Sequence, residues 1–170
     1  MLPISTILSH SLLYGAVLSL LLSAFIVVTL LVRPMIWLND APPEIRAAAG
    51  PIGPADLRLQ RWGGVAFIGL LIVVPFVALN GLREPAGGSL TFGQAALSAF
   101  VVLMTFNTVD LILLDWLLVE RLLPGRIVIP GAEGLRFTTG DAHHFRGFLI
   151  GTGLSLAAAG VIGGVAALLW

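Results

Sequence analysis

Gln94-Ala-Ala-Leu-Ser-Ala-Phe-Val-Val-Leu-Met-Thr-Phe-Asn107-Thr-Val-Asp110-Leu-Ile-Leu-Leu-Asp115-Trp-Leu-Leu-Val-Glu120 is a long apolar run that encloses a carboxamide and two carboxylates. About 20 apolar residues, at ~1.5 Å each, cross ~30 Å of hydrocarbon. The run is therefore read as a membrane span over residues 94–119. A charge placed in lipid costs at least ~2.5 kcal/mol, so acids within a span face protein or water and often mark function.

Three further runs have the same length and character, at about residues 11–32, 62–82 and 147–169. The composition agrees: 58% of residues are hydrophobic and 11% charged, against ~25% charged in soluble domains. The expected fold is all-α, a single polytopic domain built as a four-transmembrane-helix bundle. A cleaved leader at the start is not expected, because residues 1–10 carry no Arg or Lys and the run that follows exceeds a leader's apolar core. Net charge is zero, with nine Arg, no Lys and nine acids. No global field would draw nucleic acid, and that class of partner is excluded. The absence of Cys removes thiol catalysis, iron-sulfur ligation and Cys-based zinc sites. Arg without Lys, beside abundant Ala, Gly, Pro and Leu, suits a GC-rich bacterial genome, which makes the bacterial plasma membrane the expected location.

Residues 33–61 contain five prolines and are read as a polar connection. Within it, Asp40 is the expected cap of a short helix over 42–49, and Gly53-Pro54-Ala55-Asp56 opens the second spanning helix with an acid in its first turn. Pro75 deprives the Leu71 carbonyl of its helical donor and should kink that span. Residues 83–93 make a short turn, so the second and third spans should be antiparallel neighbours. In the loop 120–146, residues 126–137 read as two extended pieces around a Gly/Pro turn, and Asp141 as the cap of the last helix.

Basic residues near span ends favour the cytoplasm. The two long loops hold Arg33, Arg46, Arg58, Arg61, Arg121, Arg126, Arg136 and Arg146, and the short loop only Arg83. Both long loops are expected in the cytoplasm, with an N-out/C-out topology.

The fourth span has a small residue at every fourth position, Gly147, Gly151, Ser155, Ala159, Gly163 and Ala167. Such a ridge admits a closely packed helix. Gly15, Ser19 and Ser23 repeat the pattern on the first span, so these two helices are the expected contacting pair. A second copy or a larger membrane complex could use the same ridge.

On a regular helix Asn107 and Asp110 lie about 60° apart, and Thr108 and Asp115 about 20° apart, giving two neighbouring polar stripes. Asp115 lies about one turn from Glu120, within reach of Arg33, Arg61 and Arg146, the expected interfacial ion-pair partners. Asp110 lies ~15 Å from that boundary and is the candidate proton or cation ligand, with Asn107 as co-ligand. Ser155 and the freed Leu71 carbonyl sit at a similar depth. His143 and His144 are weak metal candidates, since adjacent histidines on a helix diverge by ~100°, and no cofactor is expected. Three functions remain open. A non-enzymatic accessory or self-associating subunit is ranked first, a small oligomeric proton- or cation-coupled transporter second, and an intramembrane enzyme using Asp110, Asp115 and His144 third.

Overall fold

A computed structural model describes residues 2–170, and among them the only regular elements are helices. Helix α1 is Ile4–Val32, followed by a 3-10 segment Pro34–Asp40 and a short α2, Pro43–Ala48. Then come α3 (Pro54–Arg83), α4 (Phe92–Leu122) and α5 (Asp141–Leu169). Four of these, α1, α3, α4 and α5, are long and apolar enough to cross a membrane. The chain is thus all-helical with four candidate spans, as its hydropathy pattern requires.

The helices overrun the expected spans because hydropathy marks only what lipid must cover. α4 begins at Phe92 because Thr91 and Gln94 form a reciprocal cap: the Thr91 N–H donates to Gln94 Oε1 at 3.0 Å and the Gln94 N–H to Thr91 Oγ1 at 3.3 Å. Asp40 does not cap α2. It closes the 3-10 segment, and Pro42, in an extended conformation, stands at the N-cap without a side-chain hydrogen bond.

The chain divides into two compact units. The first comprises the chain up to Leu20, Ile68–Val109 and Phe148–Trp170. Its core is Ile7, Leu79, Leu82, Leu90, Ala95, Ala99, Ala159, Ile162 and Ala166. The small-residue ridges meet α4 here. A Cβ on Gly163 would come within 2.9 Å of the Ala96 backbone nitrogen, and one on Gly15 within 2.6 Å of Thr105 Cβ. At these positions the nearest neighbour of both α1 and α5 is α4, through Thr105 and Ala96 respectively. A buried Ser11–Ser98 hydroxyl pair, 2.7 Å apart, ties α1 to α4 on the same side. The Arg83 guanidinium lies 4.7 Å over the Trp170 ring.

The second unit comprises Leu21–Phe67 and Asp110–Gly147. Its core joins Leu30 from α1, Leu38, Ala41 and Ile45 from the proline-rich segment, Val119 from α4, and Ile127, Ile129, Ala132 and Phe137 from the second loop. The two loops thus fold together around one apolar cluster. The expected hairpin does not form: residues 126–137 contain no strand. Ile127 and Ile129 are buried while Val128 is exposed, so the two-residue alternation survives, but the segment packs on side chains instead of pairing with a strand. Gly131 makes the turn with φ +86, and a Cβ there would sit 3.1 Å from the Ala48 carbonyl.

Candidate functional site

α4 changes its winding at Asp110. From Asp110 to Leu122 it runs as a wide π-helix, bonded i→i+5; beyond it the Leu123 N–H still donates to the Leu118 carbonyl five residues back, at 2.7 Å. The Arg121 guanidinium caps the neighbouring carbonyl of Trp116. In a regular α-helix, residues five apart point about 140° apart; in the wider helix they follow one another along one face. Asp110, Asp115 and Glu120 are spaced by five. The wide winding therefore converts three scattered acids into a ladder, and the two stripes counted on regular geometry do not continue past Val109.

His144, in the first turns of α5, bridges two rungs. Its Nδ1 lies 3.1 Å from Asp115 Oδ2 and its Nε2 2.9 Å from Glu120 Oε1. The ring is largely enclosed, with side-chain exposures of 13% for His144, 10% for Glu120 and 25% for Asp115. Glu120 also holds the start of α5: its Oε1 accepts the N–H groups of Thr139 and Gly140, each at 2.8 Å. A carboxylate at that position complements the positive end of the helix. Thr139 Oγ1 lies 3.0 Å from His144 Nε2 and completes the cluster. Asp110 lies within electrostatic reach of both Asp115 and His144.

The geometry sets a proton count. Neutral imidazole has one N–H and a carboxylate has none, so the two N···O contacts cannot both be hydrogen bonds without one further proton. With that proton, on the ring or on a carboxyl, the cluster would carry one negative charge instead of two.

Asn107 lies in the other unit. Its amide donates to the Phe148 carbonyl at 3.1 Å and to Thr152 Oγ1 at 3.2 Å, and its Oδ1 fills the space over Gly151 that a Cβ would need. Asn107 thus locks α4 to α5. Ser155, Ala159 and Gly163 are buried on α5, whereas Gly147 faces open space.

The expected arginine partners of Asp115 are engaged elsewhere or unpaired. Arg33 pairs with Asp56 at 2.7 Å, and Arg61 and Arg146 have no acidic partner among the described residues. Arg121 reaches Asp141 at 2.9 Å, so Asp141 forms an ion pair in the first turn of α5. His143 stands edge-on to His144, with ring centroids 5.7 Å apart. Beside it, partial burial of the Asp40 carboxyl holds its pKa above the ordinary value, against the attraction of His143 and Arg46. Among the described residues no three His or acidic side chains are arranged to hold a metal ion. The reason is visible at His144, whose two carboxylates face opposite sides of the ring and share no common point.

Glu120 and Thr139 escaped the sequence reading. The available signal was the five-residue spacing of the acids, which has meaning only on a wide helix. Comparison with known protein families, with curated proteins and with solved structures finds no match.

Proposed function

We propose that this small multi-pass membrane protein passes protons along Asp110, Asp115, His144 and Glu120, in a bacterial plasma membrane with both long loops in the cytoplasm. The observation that carries the proposal is the bridged ladder: three acids on one helical face, two of them on opposite nitrogens of one imidazole. Chains of Asp, Glu and His within spans are the usual material of proton relays. The Arg-rich loops support the orientation. The relay then opens toward the cytoplasm at Glu120 and leads inward to Asp110.

The test is reconstitution into liposomes that hold a pH-sensitive dye, with a membrane potential imposed. Proton entry above that of protein-free liposomes is expected, lost in Asp110→Asn and His144→Gln and kept in Arg61→Gln. Wild-type flux no greater than the protein-free control, or unchanged flux in Asp110→Asn, would overturn the proposal.

A second reading, a self-associating subunit, rests on a different observation. Gly153, Gly160 and Gly164 on α5 have open space where a side chain would stand. A second copy could pack there, and cross-linking through cysteines placed at Gly153 and Gly160 in native membranes tests it.

A further inference from the structure

Within the second unit, where α1 leaves its apolar stretch, a groove of about 370 Å³ is lined by Leu31, Val32, Arg33, Pro34, Met35, Asp56, Arg126, Val128 and Pro130. Sites for small ligands span about 300–1,000 Å³. Its walls carry two cations and one anion. Arg33 is braced by Asp56, through Nη2 at 2.7 Å and Nε at 2.9 Å. Arg126 is exposed, and among the described residues no acid pairs with it. The groove therefore retains one uncompensated positive charge.

Its apolar side is equally uneven. Leu31 and Val32 are the last residues of α1 and stand 42% and 68% exposed, and Val128 is 48% exposed. The groove thus joins an exposed apolar helix end to a pair of guanidinium groups, as a phospholipid joins its acyl chains to a phosphate. Guanidinium groups bind phosphate oxygens in a forked, charge-assisted geometry, and basic pockets beside spanning helices hold anionic headgroups.

We propose that this groove binds the headgroup of an anionic phospholipid. Arg126 supplies the free cation, Arg33 a fixed one, and Leu31 and Val32 start the path of an acyl chain. A dissolved phosphate ion shares the headgroup chemistry but would leave the apolar wall uncovered.

The proposal is tested on the whole purified protein in detergent, by native mass spectrometry and thermal unfolding with added phosphatidylglycerol, phosphatidylcholine or inorganic phosphate. Phosphatidylglycerol should be retained and should raise the unfolding midpoint, and phosphatidylcholine should do neither. Arg126→Gln should weaken phosphatidylglycerol retention by roughly tenfold, the loss of one charge-assisted contact, whereas Arg61→Gln should not. Arg126 is exposed, so its replacement leaves the core intact. Equal retention of the two lipids, unchanged retention in Arg126→Gln, or displacement of the lipid by millimolar inorganic phosphate would overturn the proposal.

Discussion

Asp115 and Glu120 stand five residues apart on α4 and yet bind one imidazole, at Nδ1 and Nε2 of His144, over 3.1 and 2.9 Å. A regular α-helix would turn one of them away. The wide winding of α4 and the start of α5 are therefore interdependent, and each supports the other through Glu120.

That dependence can be measured. Glu120→Ala removes the acceptor for the Thr139 and Gly140 N–H groups and should cost about 1–3 kcal/mol, in the range of lost caps and unsatisfied donors. Glu120→Gln keeps an acceptor oxygen and should cost less. Hydrogen exchange at residues 139–144 should speed up in Glu120→Ala; unchanged protection there would contradict the role assigned to Glu120.

The small residues of α5 divide into packed and open positions. Gly163→Ala must push against the backbone of Ala96 and should destabilise by about 1–3 kcal/mol. Gly160→Ala meets open space and should be neutral or stabilise by up to about 1 kcal/mol, because Ala is the better helix former. Thermal unfolding of the two variants in the same detergent separates them, and equal losses would contradict the packing.

Asn107 and Gly151 form a coupled pair. Gly151→Ala drives a Cβ into Asn107 Oδ1, so it should destabilise the wild type by about 1–3 kcal/mol. On an Asn107→Ala background most of that cost should vanish. A double-mutant cycle reads the coupling directly, and additive losses would show that the amide does not fill this space.

Asp40 gives a pH-dependent prediction. Its carboxyl is desolvated and its pKa raised, so ionisation opposes folding, and its contribution is most favourable below the unfolded-state value and is lost as pH rises through the folded value. Asp40→Asn should raise the unfolding midpoint at pH 7 and lose that advantage near pH 3.5, where both side chains are neutral. A lower midpoint at pH 7 would mean that His143 and Arg46 outweigh desolvation.

The four spans were legible because apolar length alone specifies them, as the runs ending at Val32 and Leu82 illustrate. Helix ends were less so: Thr91-Phe-Gly-Gln94 carries a readable cap, yet hydropathy places the start of that span two residues late. The alternation of Ile127, Val128 and Ile129 was readable, but its partner was not, since a side-chain cluster and a second strand leave the same pattern. The site was half visible. Asp110 and Asp115 stand out in an apolar run, whereas the pairing of Asp115 with His144 spans 29 residues and depends on how the intervening loop folds. Nor does residue order reveal a change of winding at Asp110, on which the alignment with Glu120 rests.

Hydrogen bonds at both nitrogens of His144 require one proton beyond neutral imidazole among Asp115, His144 and Glu120. Nitrogen-15 NMR of His144 in lipid at pH 7, paired with infrared detection of protonated carboxyl groups, measures it most directly. Two protonated ring nitrogens, or one protonated nitrogen with a carboxylic acid signal that disappears in Asp115→Asn or Glu120→Gln, are expected. A neutral ring beside two ionised carboxylates would contradict the claim.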